Sequence, residues 1–134
     1  MSKMNEKAIR AMRDFLDAIG VDIEARGMEK TPERVAEMYQ FLFDGMGKDT
    51  SAIWGETFDA GSDGIVAVRN IPFYSMCEHH LVPFFGEVSI AYLPTDGRVA
   101  GFSKFSKLVE VLSHQPQLQE RLTAQIAAAV QRDL

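Results

Sequence analysis

Apolar residues recur along this chain with two periods, and the change of period organises it. Over residues 5–19, Ile9, Met12, Leu16 and Ile19 fall at three- and four-residue steps. Phe15 joins their face and Gly20 follows as a stop, which predicts an amphipathic helix. A polar connection covers residues 21–30. Thr31-Pro32 then supplies an N-cap with proline at the first helical position. Val35, Met38, Tyr39, Leu42 and Phe43 form the predicted buried stripe of this second helix, which Gly45 closes. Residues 45–64 hold five of the ten glycines and read as an irregular connection.

Beyond residue 64 the period changes to two. Ile65-Val66-Ala67-Val68, continuing through Ile71, predicts one strand. From Gly86 to Tyr92 the alternation is clean, with Val88, Ile90 and Tyr92 on one face and Glu87, Ser89 and Ala91 on the other. Pro94-Thr95-Asp96-Gly97 predicts a turn. A third helix is expected to start near Ser103, a good N-cap, with Phe105, Leu108, Val109 and Leu112 as its apolar side. Pro116 is expected to open a fourth, striped by Leu118, Leu122, Ile126, Ala129 and Val130, with Gln119 and Glu120 partly or wholly off that stripe.

The order helix, helix, strand, strand, helix, helix defines an α+β fold. We divide it into an N-terminal helical region with its connection (1–64) and a sheet-and-helix region (65–134), in one continuous domain. Two strands are poor cover for two long helices, because isolated hairpins are marginal. Further strands are therefore expected, from more chain after Leu134 or from neighbouring chains.

Composition narrows the functional classes. A length of 134 residues suits one domain with a core of its own. The net charge of −5 argues against a general nucleic-acid binder, which carries a basic stripe. The single cysteine excludes an intrachain disulfide framework and fits a reducing cytoplasm. The amphipathic N-terminus, interrupted by Glu6, Asp14 and Asp17, does not read as a signal peptide. No apolar run approaches the length of a membrane span.

The chemistry concentrates in Cys77-Glu78-His79-His80. This polar island lies between Ile71-Pro72-Phe73-Tyr74 and Leu81-Val82-Pro83-Phe84-Phe85. Burying such a cluster is costly unless its groups hold one another, a metal or a ligand. Cys77 and His80 have the ligand types and C-x-x-H spacing that suit Zn²⁺. On spacing alone, a buried thiol beside a hydrogen-bonded histidine is the plainer alternative.

The flanking motifs change that balance. From about Asp22 onward the chain resembles GTP cyclohydrolase I. The resemblance rests on Thr31-Pro32-Glu33-Arg34-Val35-Ala36-Glu37-Met38-Tyr39 and on Phe73-Tyr74-Ser75-Met76-Cys77-Glu78-His79-His80-Leu81-Val82-Pro83-Phe84. It continues with Ala91-Tyr92-Leu93-Pro94, Gly101-Phe102-Ser103-Lys104 and Pro116-Gln117-Leu118-Gln119-Glu120-Arg121-Leu122-Thr123. It implies the tunnelling fold (T-fold), here N-terminal helices, an antiparallel β-hairpin and a helix pair, with the family's last strands missing. It also implies a homo-oligomer, a toroidal homodecamer with active sites between subunits. The implied reaction is the zinc-dependent hydrolytic opening of the imidazole ring of GTP. Its products are formate and 7,8-dihydroneopterin triphosphate, the first step of tetrahydrofolate and pterin biosynthesis, in the cytoplasm.

Residue by residue, the resemblance makes Cys77 and His80 metal ligands and His79 a general acid/base. Glu120 and Gln119 become guanine readers, a carboxylate being able to accept from N1–H and the exocyclic amine together. Ser103, Lys104, Lys107 and Arg34 fall near the ribose and phosphates. Lys107 stands where arginine is common in the family, which weakens a bidentate grip to a point charge. Glu37 stands where lysine is common. Glu78 is open between an orienting carboxylate and a strand-end charge facing water, and His114 reads as a surface or capping histidine. Family sequences run on past the position of Leu134 and carry another zinc cysteine there, so the chain is expected to be C-terminally shortened. The alternative is a catalytically incomplete truncated paralogue that acts as a binding or assembly partner.

Overall fold

The computed structural model describes residues 3–134, with the side chains of Lys3 and Met4 set aside. The chain divides after Leu42 into two compact units. The first is a helix pair, α1 (Lys3–Ala18) and α2 (Thr31–Leu42). Gly20, at φ +85°, ends α1 in a double backbone closure. Its N–H donates to the Asp17 carbonyl at 2.9 Å, and the Val21 N–H donates to the Leu16 carbonyl at 2.9 Å. Only a residue tolerant of positive φ fits there, which is why glycine reads as the stop. In α2 the buried line is Pro32 and Ala36, with Val35, Tyr39 and Leu42 half-buried beside it. Met38, expected in the buried stripe, is exposed because it stands two residues, about 200° of helix, from Ala36. Phe15 and Ile19 are likewise exposed.

The second unit starts at Phe43. The segment expected to be irregular is partly ordered. A single 3-10 turn over Thr50–Ile53 is capped by Asp49, whose carboxylate accepts from the Ser51 N–H at 2.9 Å. It delivers Trp54 into the core, where the indole N–H donates to Asp133 at 2.8 Å. A short strand β1 (Thr57–Asp59) follows, pairing antiparallel with β4 (Arg98–Ala100).

The main sheet carries the hairpin β2 (Val66–Cys77) and β3 (Pro83–Tyr92), registered from Val66↔Tyr92 to Met76↔Pro83. A bulge between Val68 and Ile71 interrupts it, where Asn70 adopts φ +59° and its N–H reaches the Ser89 hydroxyl at 3.2 Å. The alternation read from 86 to 92 is realised, since Ile90 and Tyr92 are buried and Val88 packs against the core. Helix α3 (Phe102–Ser113) lies along β2, with Leu108 and Val109 fully buried. Gly101 occupies its N-cap position, and Ser103, expected to cap, lies inside the first turn.

Pro116 does not open the last helix. Pro116–Gln117 forms β5, a two-residue strand parallel to Met76–Cys77, and α4 runs over Gln119–Asp133. The stripe Leu122, Ile126, Ala129 and Val130 is buried as read. The sheet order is β3-β2-β5, so β3 is an edge. A groove of about 660 Å³ runs beside it, lined from the sheet by Phe73, Val88 and Tyr92 and from α4 by Leu122, Ile126 and Val130. No helix among the described residues is long and apolar enough to cross a membrane.

Candidate functional site

The island is the turn of the β2–β3 hairpin. The Cys77 N–H donates to the Val82 carbonyl at 2.8 Å, and the Leu81 N–H donates back to the Cys77 carbonyl at 2.8 Å. Closing so tight a turn puts Leu81 at φ +54°, a conformation costing a non-glycine residue about 1 kcal/mol or more. Strain of this kind persists where surrounding contacts over-determine the backbone, and two contacts beneath the turn do so. The Ser75 hydroxyl, buried in β2, donates to the Ser113 carbonyl at 2.7 Å. The Glu78 N–H donates to the carbonyl of Gln117, a fully buried residue of β5.

On this frame Cys77 is half-buried, and His79 and His80 are exposed. Glu78 is not a strand-end charge facing water alone. Its carboxylate receives both prongs of the Arg121 guanidinium, Nη1 at 2.6 Å and Nη2 at 3.0 Å. That hydrogen bonding holds the Glu78 carboxyl below its ordinary range and raises Arg121 above its own. The His79 ring nitrogen Nε2 lies 3.9 Å from the same carboxylate. Arg121 was not singled out from sequence. The available signal was the carboxylate itself, which needed a counter-ion between two apolar flanks.

The remaining candidates separate. Gln119 and Glu120 stand exposed in the first turn of α4, directly before Arg121, and so share the end of the unit that holds the island. Ser103 and Lys104 lie in the first turn of α3, near the packing of Phe105 on Tyr92 and Trp54. The Lys107 ammonium is engaged by Glu110 at 2.9 Å, which raises its pKa. Arg34 and Glu37 are exposed on α2 of the first unit. His114 is buried at the C-cap of α3, with Nδ1 2.8 Å from an Asp44 oxygen. The capping half of its reading holds; the surface half does not.

The donor set suits zinc in kind: one thiol and one imidazole, three residues apart on a rigid turn. Among the described residues no group of three or more His, Cys, Asp or Glu side chains gathers around one point. The number of donors is therefore one short of the three that a catalytic zinc takes from protein.

An α+β unit whose hairpin turn carries a thiol, a paired carboxylate and two imidazoles is thus defined by fold and site together. The sequence pattern of the GTP cyclohydrolase I family matches residues 8–134. A protein called GTP cyclohydrolase 1 from Streptococcus agalactiae serotype Ia is 51% identical over 126 residues, which cover 94% of this chain and 67% of that protein. One of the same name from Streptococcus pyogenes serotype M5 is 52% identical over 130 residues, covering 97% and 67%. The chain belongs to the GTP cyclohydrolase I family, and its architecture accords with the tunnelling fold of that family. It spans about two thirds of the length of these relatives.

Proposed function

We propose that this chain supplies one half of a zinc-dependent GTP cyclohydrolase I site, which opens the guanine imidazole ring to give formate and 7,8-dihydroneopterin triphosphate. The carrying observation is the island itself, presented on one clamped turn beside Gln119 and Glu120, in a chain of this family. Cys77 and His80 would hold the ion, with a third donor coming from outside the described residues. A bound zinc ion brings the pKa of water towards neutrality and so supplies hydroxide at ordinary pH. His79, exposed and free to approach a ligand, moves protons to and from the opening ring, a task suited to imidazole. Glu120 accepts from the guanine N1–H and amine, and Gln119 flanks it.

The phosphates fall to the first turn of α3, where the positive end of the helix accompanies Ser103 and the Lys104 ammonium. Lys107 contributes less, because Glu110 already claims it. In this reading the protein works as a homo-oligomer in the cytoplasm, with tetrahydrofolate and pterin synthesis consuming its product.

Two observations favour a second reading, a binding or assembly partner without turnover: the missing third donor and the Lys107–Glu110 pair. Formate release from GTP, with zinc supplied or chelated, separates the two. Zinc-dependent formate that disappears in Cys77→Ser bears out the enzyme. A protein that takes up zinc through Cys77 with its third donor supplied, and still releases no formate, refutes it and leaves the binding role.

A further inference from the structure

The turn that carries the island is tied to the start of α4 at two levels. At backbone level the Glu78 N–H donates to the Gln117 carbonyl at 3.0 Å, beside the parallel pairing of Cys77 with Gln117. At side-chain level the Glu78 carboxylate is gripped by Arg121 at 2.6 and 3.0 Å. The two anchors, Gln117 and Arg121, are four residues apart, and Gln119 and Glu120 lie between them. One residue of the turn is therefore held on both sides of the pair that faces the base in the proposed function.

The chemistry of the clamp favours geometry over stability. An exposed ion pair contributes little to folding. A fork-to-fork guanidinium–carboxylate contact, however, fixes distance and orientation together, which a single-point ammonium does not. It also occupies both Glu78 oxygens with a cation, so Glu78 is committed to Arg121 and is not the missing third donor. The clamp acts against a strained backbone, since Leu81 sits at φ +54° two residues before the strand resumes.

We infer that Arg121 is a positioning residue: its two-pronged grip on Glu78 locks the Cys77–His80 turn to the first turn of α4, setting the spacing between the metal pair and the base-reading pair. This rests on the proposed function for what the two pairs do, while the mechanical coupling stands on the contacts alone. Its test uses the 134-residue protein with Arg121→Ala, Arg121→Lys and Glu78→Gln, read in two arms.

Amide hydrogen exchange, without metal or nucleotide, is the first arm. Arg121→Ala and Glu78→Gln are expected to speed exchange at the Glu78 and Leu81 amides about fivefold, while the buried amides of α3 are unmoved. Arg121→Lys, keeping charge but losing the fork, falls between. The second arm is zinc affinity by chelator competition, expected to weaken about tenfold in Arg121→Ala, as for other groups that orient a ligand without touching the ion. Unchanged exchange at both turn amides overturns the inference. So does faster exchange with unchanged zinc affinity, and so does equal loss in Arg121→Lys and Arg121→Ala. If the unmutated protein takes up no zinc at all, its two donors do not hold the ion without a third, and the exchange arm alone decides whether the clamp exists.

Discussion

Replacing Gly45 with alanine tests how closely the second unit is packed beneath the candidate site. Gly45 is buried, and its N–H donates to the His114 carbonyl at 3.0 Å. A Cβ built there would lie 1.9 Å from the Val111 carbonyl oxygen, 2.9 Å from its carbon and 3.0 Å from the His114 oxygen. The closest approach is about 1.5 Å short of the 3.4 Å at which ordinary contact begins, and the obstacle is backbone, not a side chain that can swing away. The Asp44–Gly45 segment must therefore retreat from α3. In doing so it stretches the Gly45–His114 bond and the Asp44–His114 contact of 2.8 Å. Overpacking of this kind costs about 1–3 kcal/mol, and one lost hydrogen bond adds about 1 kcal/mol. We expect Gly45→Ala to lose about 2–4 kcal/mol, a fall of about 1–2 M in urea midpoint at slopes usual for small proteins. The single tryptophan, Trp54, is buried in the same unit and reports the transition by its fluorescence. A midpoint within about 0.2 M of the parent protein's would refute the packing of this segment against α3.

Ser75→Ala removes the buried hydroxyl that ties β2 to the Ser113 carbonyl. That carbonyl keeps a second donor, the Gln115 N–H at 2.9 Å, so the expected loss is only about 1 kcal/mol by urea titration; an unchanged midpoint contradicts it. Acid should also weaken the unit. Hydrogen bonds from Arg132 and Trp54 hold the Asp133 carboxyl below its usual range, and Arg121 does the same for Glu78. A carboxyl depressed in the folded state contributes stability above its unfolded pKa of about 4, and that contribution is lost as pH falls through the folded value. The urea midpoint is therefore expected to drop below about pH 4, and less steeply in Glu78→Gln; a midpoint that rises on acidification would reverse the sign.

What sequence revealed and what it missed follow one physical division. Periodicity located α1, α2, the hairpin and α4, most plainly where a helix buries a continuous face, as α4 does with Leu122, Ile126, Ala129 and Val130. In α1 the same repeat marks a face only half-buried at Ile9, Met12 and Leu16. It missed β1, β4 and β5, whose two or three residues are too few to show a period. Ser103 looked like a cap, and Gly101 took that position, because the chain entering α3 from β4 is extended at Gly101 with ψ 141°. Within the site, the hairpin turn that carries Cys77 and His80 was legible as a polar island between two apolar flanks. Arg121 and Ser75 were not, since a long-range partner leaves no local mark. His114 misled for the same reason: its counter-charge, Asp44, is 70 residues away.

The placement of the phosphate candidates bears directly on how a site could be completed. Helix α3 enters beside Tyr92, whose ring lies 5.5 Å from that of Phe105, and leaves beside Ser75, which bonds to Ser113. The ten residues from Ser103 to Ser113 advance about 15 Å, so Ser103 and Lys104 stand at the far end of α3 from the Cys77 turn. The inner route between the two ends is filled by Phe105, Leu108 and Val109, all buried. The outer route passes Glu110, whose carboxylate repels a triphosphate and already claims Lys107. A guanine read by Glu120 beside the turn therefore stands about a helix length from the α3 cations of the same chain. On the proposed reading of a homo-oligomer, the α3 start of another copy is a second source of such cations, in which case a chain would lend its turn to one site and its helix N-terminus to the next.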